Sequence, residues 1–236
     1  SEPAATDSEN ILITYFSLGR NAEYPDDIDA STSASLVLDG EEMVGTTEYV
    51  ARLIQDNVGG DLHSITTVEP YSADFDMVVE QNHEEMNAGT LPELEAGILN
   101  VSQYDTVFIG YPVWATNAPQ AIFSFLSQYN LSGKTIIPFC THNGYGAGGS
   151  YGDIAEAIDG ETAILDGLAI EASDVPESAN TVASWLRDIG FETQQSNSAE
   201  TEETAITITI GDTVLDGVLY NTALAEEISE YFHRSE

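Results

Sequence analysis

Basic residues are nearly missing from this chain: lysine and arginine number 5 in 236 residues, against 41 aspartates and glutamates, for a formal net charge of -36. That sign repels phosphate backbones and anionic lipid surfaces alike, so nucleic acid is excluded as an expected partner. Most of the acids read as a solvated surface suited to high salt; a docking face for a basic partner is the sharper reading. Cysteine occurs once, at Cys140, which rules out an internal disulfide and any thiolate metal cluster. Long apolar runs are missing as well, since none approaches the roughly 18 residues that cross a bilayer. No initiator methionine opens the sequence, and residues 1–10 (SEPAATDSEN) read as a polar tether left by a removed leader. An exported, extracytoplasmic protein is therefore expected, with lipid-anchored membrane association through residues ahead of Ser1 as one form of it; a cytoplasmic location is the alternative.

What is present is a core-forming apolar fraction of 42% arranged in alternating units. Ile11 to Phe16 is a continuous apolar run, the pattern of a strand buried on both faces of a parallel sheet. Thr46 or Thr47 can cap a helix in which Val50, Leu53 and Ile54 share one face, and Gly59-Gly60 stops it. Leu62 to Val68 reads as a more polar edge strand, and residues 74–88 fit a poorly patterned helix. Thr106 to Gly110 is a second buried strand, followed by a helix from Pro119 carrying Ile122, Phe125, Leu126 and Tyr129 on one stripe. Thr135 to Cys140 is a third, though Pro138 sits oddly in it. A short helix near residues 150–158, a strand within residues 163–170 and a helix bearing Val182, Trp185, Leu186 and Ile189 complete the series.

Strands alternating with helices predict an α/β fold: a doubly wound, five-stranded parallel sheet of order 2-1-3-4-5 over residues 11–190. Residues 191–204 read as an acidic linker. Residues 205–236 open with Ile206, Ile208 and Ile210 alternating with threonine, a turn at Gly211-Asp212 and a return from Val214 to Tyr220, which predicts a β-hairpin extension. In such a sheet a ligand sits beyond the carboxyl ends of the strands, where the strand order reverses, so three loops carry the chemistry.

The first loop is split. Ser17 ends the opening strand, while Val44-Gly45-Thr46-Thr47 supplies the rest of the turn and a helix start, where N–H groups and hydroxyls hold an anion without lysine or arginine. Helix capping is the plainer role for the two threonines. The second loop, Gly110 to Pro119, contains Pro112-Val113-Trp114-Ala115, and its indole presents a wide flat face to an aromatic ligand. The third, Thr141-His142-Asn143-Gly144-Tyr145-Gly146-Ala147-Gly148-Gly149-Ser150, lets backbone approach a ring edge, with Tyr145 or His142 as a cover or as surface aromatics. His63, His83 and His233 have no ligand spacing and read as surface residues. Cys140 reads as a packed thiol, and no metal site is expected.

These three loops, in this order, resemble the bacterial flavodoxin-like family over residues 11 to about 190. The resemblance implies flavin mononucleotide (FMN) as cofactor. Its phosphate would lie at Ser17, Gly45, Thr46 and Thr47, and its ring against Pro112, Val113, Trp114 and Ala115 and against Thr141, His142, Asn143, Gly144, Tyr145 and Gly148. An electron carrier is implied, serving a redox partner protein or a small quinone-like acceptor. An NAD(P)H-dependent FMN quinone reductase and a flavodoxin-fold binding protein without FMN are the alternatives. Residues 18–43 are longer than the family's usual loop and are either a surface elaboration or a lid. The tail from Thr207 to Tyr220 is similar to the opening hairpin of a cyclophilin-like domain behind some exported flavodoxins, which implies a truncated segment and no prolyl isomerase activity.

Overall fold

The computed structural model describes residues 10–24, 35–98, 100–193, 204–210 and 213–219. The tether up to residue 9, the middle of the 18–43 insertion, residues 194–203 of the linker, Gly211-Asp212, everything after Leu219 and His233 with it lie outside the described residues. Two compact units are present, Ser1–Thr193 and Gln194–Glu236.

The first unit is built on β1 (Ile11–Phe16), β4 (Asp61–Ile65), β5 (Thr106–Pro112), β6 (Thr135–His142) and a broken last strand, β7 (Ala163–Ile164) and β8 (Leu168–Glu171). All pairings are parallel, in the order β4-β1-β5-β6, with β7 and β8 sharing the far side of β6. That is the expected 2-1-3-4-5 arrangement. Side chains alternate between two cores. Leu12 and Phe16, Val107 and Ile109, and Ile136 and Cys140 face one layer; Ile13, Phe108, Ile137 and Phe139 face the other. Helices α3 (Phe75–Ala88), α4 (Gln120–Gln128) and α5 (Ser150–Ala157) cover the first face, through residues such as Val78, Ile122, Phe125 and Ile154. Helices α2 (Thr46–Val58) and α6 (Ala179–Asp188) cover the second, through Val50, Ile54, Val182 and Leu186. Fully burying each such side chain contributes about 1.5–3 kcal/mol, so the apolar run of β1 is stable only with both layers in place.

Pro138 explains the broken strand. It pairs with Ile109 on the β5 side, while on the other side β7 pairs Thr135 and Ile136 and β8 resumes at Phe139. A residue without an N–H cannot carry an unbroken ladder on both sides, and the neighbour parts where that donor is missing. The first unit also runs past Gly190, because Phe191 packs on Phe108 with ring centroids 5.5 Å apart.

The insertion after Ser17 is structured where it is described. A single turn, α1 (Leu18–Asn21), follows β1 at once, and an antiparallel hairpin, β2 (Leu36–Asp39) with β3 (Glu42–Gly45), leads into α2. Val37 and Val44 are buried in the same core as α2. One local expectation is corrected: neither Thr46 nor Thr47 caps α2. The N-cap is Gly45 and no side chain caps it. The second unit's described part is a hairpin, β9 (Thr204–Ile210) antiparallel to β10 (Thr213–Leu219), as the alternating isoleucines predict.

Candidate functional site

A cleft of about 420 Å³ opens at the carboxyl end of the sheet, lined on one side by the second and third loops and on the other by α3. Val113, Trp114 and Ala115 of the second loop and His142, Asn143 and Tyr145 of the third all line it. A cleft of that size falls within the range that holds a small organic ligand.

Trp114 is anchored rather than loose. Its ring meets Phe16 edge-to-face at 5.4 Å and Tyr71 at 5.2 Å, and Phe16 meets Tyr71 at 5.6 Å. Each such pair adds about 0.5–1.5 kcal/mol beyond area burial. The backbone beside it is strained: Trp114 and Asn117 exchange two 2.9 Å hydrogen bonds across Ala115 and Thr116, whose φ values are +47° and +68°. Left-handed geometry at two consecutive non-glycine residues costs free energy, and such strain persists where the surroundings hold it. Here the third loop does so. Gly149 donates to the Thr116 carbonyl at 3.1 Å, and Gly148 approaches so closely that a methyl group on it would sit 2.1 Å from that oxygen.

The split first loop is rejoined in space. A methyl group on Gly45 would lie 1.6 Å from Ser17 Oγ, so the strand end and the start of α2 touch directly. Thr47 Oγ1 lies 2.8 Å from Thr141 Oγ1 and Thr46 Oγ1 lies 3.4 Å from it, which ties the first loop to the third. Ser17, Thr46, Thr47 and Thr141 are all buried, and the Thr46 amide donates to the Ser35 carbonyl. None of these four lines the cleft; Leu18 and Ser35, which lie between Ser17 and Thr46 in sequence, do. Pro112 is half-buried at the end of β5, next to Val113, whose amide donates to the Thr141 carbonyl. Gly144, at φ +88°, donates its amide to His142 Nδ1 and shapes the loop that carries Tyr145.

A polar hub positions both ends of the insertion. Asn21, 2% exposed, donates to the carbonyls of Ser17 and Ile65 and accepts from the Thr67 amide, while its own carbonyl accepts from Tyr71 N–H. Glu48, in the first turn of α2 and 2% exposed, is held by Arg20 and Arg52 at 2.5 and 2.7 Å. Hydrogen bonding to Glu48 pushes the Arg20 guanidinium well above its ordinary value. The start of α2 thus has an arginine close by, one of only five basic residues in the chain.

Sequence reasoning missed the α3 wall. Phe75, Val78, Val79, Asn82 and His83 line the cleft; His83 is exposed, as read, and borders the cleft as well. The signal is an apolar stripe at helical spacing that starts at an exposed Phe75 and is interrupted by an asparagine. Among the described residues the lining contains no aspartate or glutamate, although the chain has 41. Cys140 is the packed thiol expected of it. It is 1% exposed, 3.5 Å from the Tyr151 hydroxyl, and raised by burial to about 11. No group of ligands able to hold a metal ion occurs among the described residues.

The sequence profile of the family described as Flavodoxin matches residues 41–189, more than half of the chain. The chain belongs to the flavodoxin family. Solved structures agree on the fold. A candidate flavoprotein from Bacteroides eggerthii is 26% identical, covering 78% of this chain and 99% of that one, with a TM-score of 0.57. A second, from Bacteroides uniformis, is 23% identical, covering 76% and 98%, with a TM-score of 0.55. A flavoprotein in complex with FMN from Lactobacillus acidophilus is 20% identical, covering 72% and 97%, with a TM-score of 0.51. No curated protein matches the chain. The flavodoxin match begins inside the insertion, so the second and third loops fall within it while Ser17 precedes it.

Proposed function

We propose that this flavodoxin-family protein binds FMN in the cleft beside Trp114 and passes electrons through it. The observation that carries the reading is the cleft itself: two loops braced against one another, an indole fixed by edge-to-face contacts, and an acid-free lining inside an acidic protein. A planar aromatic ring suits such a surface, and a carboxylate facing its electron-rich reduced form would not.

The residues present fit FMN. Trp114 and Tyr145 supply flat surface for the ring, and the backbone of residues 112–116 and 141–145 supplies donors and acceptors for its edge. The phosphate belongs at the start of α2, a helix of 13 residues whose first-turn N–H groups have no partner within the helix. Ser17, Thr46, Thr47 and Thr141 pack beneath that helix start, the threonine hydroxyls hydrogen-bonded to one another, and Arg20 offsets the charge of Glu48. FMN supplies reversible uptake of one or two electrons; the protein supplies orientation, exclusion of water and electrostatics. The chain's net charge of -36 disfavours a negative reduced ring and lowers its potential, an effect that salt screens over about 8–10 Å at physiological strength.

A second reading has its own support. The apolar α3 wall, with Phe75, Val78 and Val79 facing the loops, makes the site a groove that admits a small planar acceptor of the quinone class. The protein would then be a reductase drawing hydride from NAD(P)H. Mixing the flavin-loaded protein with NADPH alone separates the two. Bleaching of the flavin band without a separate reductase supports the reductase reading, and its persistence until a reductase is added supports the carrier.

A further inference from the structure

Asn82 is 3% exposed, lies in the cleft wall, and has an amide oxygen with no hydrogen-bond partner. Its Nδ2 does little better, with only the Met86 sulfur at 3.5 Å, a weak acceptor. A carboxamide with capacity for four hydrogen bonds is therefore almost unspent, in a lining otherwise made mostly of Val, Phe, Trp, Tyr, Leu and Ala. Protein folding alone gives no reason for an asparagine there: Leu at this point would extend the stripe of Val78 and Val79. Thr14 Oγ1 and Asn57 Oδ1 also have no partner, but neither lines the cleft.

We propose that Asn82 recognises the imide edge of the flavin ring. The proposal rests on the FMN reading above. The pyrimidine edge of isoalloxazine carries one N–H, at N3, between two carbonyl oxygens. A carboxamide presents the complementary pair, with Oδ1 accepting from N3–H and Nδ2 donating to an adjacent carbonyl once turned from Met86. The terminal side-chain torsion is soft, so the carboxamide can turn to exchange the positions of its oxygen and nitrogen. Asn82 is then a specificity-determining residue, choosing a ring with an N–H at that edge over one without. It also accounts for an asparagine on a helix face that is otherwise apolar.

The test is a cycle between protein and ligand. FMN and 3-methyl-FMN, in which a methyl group replaces the N3 hydrogen, are titrated into the flavin-free full chain and into Asn82→Leu, following flavin fluorescence, and both proteins are melted without flavin. The wild type is expected to prefer FMN by about tenfold, equivalent to about 1.4 kcal/mol. N82L is expected to bind the two flavins alike, while melting no lower than the wild type when flavin-free, because it gives up no strong bond. A preference kept in full by N82L overturns the proposal, since another group then reads N3. So does a flavin-free N82L that melts well below the wild type and loses both flavins equally, which marks a structural role. Failure of the wild type to bind either flavin overturns the FMN reading and the proposal together.

Discussion

Replacing Gly45 with alanine tests whether the two halves of the split first loop form one corner. The backbone at Gly45 has φ -70° and ψ 144°, which any residue adopts, so alanine meets no torsional obstacle. Space is the only issue. The new methyl group would sit 1.6 Å from Ser17 Oγ and 3.0 Å from Ser17 Cβ, against a serine that is 1% exposed at the end of β1. Either the hydroxyl rotates into a packed wall or the strand end and the helix start move apart. Overpacking of this kind costs typically 1–3 kcal/mol, and we expect about 2. For a chain of this size that lowers the melting temperature by roughly 4–8 °C. Ser17→Ala removes the colliding oxygen and leaves the 3.0 Å contact, so the double variant is expected to recover at least about 1 kcal/mol relative to the sum of the single changes. Urea denaturation of the two single variants, the double variant and the wild type measures the coupling, and FMN titration of the same set reads the corner's part in binding. A Gly45→Ala protein with unchanged stability and unchanged FMN affinity, or strictly additive changes, would refute the contact.

Further outcomes follow from other parts of the fold. Gly148→Ala, which forces a side chain onto φ +59° and into the Thr116 carbonyl, should separate the third loop from the second, lowering stability by about 2 kcal/mol in denaturant and weakening FMN retention with it. Glu48→Gln leaves Arg20 and Arg52 without their shared carboxylate; because water reaches both guanidinium groups, the loss should be about 1–2 kcal/mol, below the 3–5 of a fully buried pair, and is measured by chemical unfolding. Cys140 titrates higher in the folded protein, about 11 against 9.0, so the native state holds the proton longer. Its contribution is intact below about pH 9 and declines as pH rises toward 11, a decline that Cys140→Ala should reduce. The native thiol should also resist a disulfide reagent that labels the urea-unfolded chain.

Much of the fold was legible because burial on both faces leaves a plain mark. The runs Ile11 to Phe16, Thr106 to Gly110 and Thr135 to Cys140 have few polar positions since two helical layers cover them. The second and third loops were legible by their order after those strands. What the sequence hid depended on partners far away in the chain. A threonine before an apolar helix reads the same whether its hydroxyl caps the helix or meets Thr141, and only the tertiary contact decides. Arg20, Glu48 and Arg52 look like ordinary surface charges until the insertion folds back and buries Glu48 between two guanidinium groups. Helix α3 looked poorly patterned because one face serves the cleft as well as the core. Its asparagine breaks the apolar stripe at the point where the wall faces the loops.

The central claim is that this cleft holds FMN, and the visible spectrum and flavin content of the purified full chain test it most directly. The account predicts a yellow protein, or a colourless one that takes up FMN to one equivalent on incubation, with the flavin released as FMN on denaturation and retention weakened by Trp114→Ala. A colourless protein that takes up no FMN at any concentration tried would contradict it.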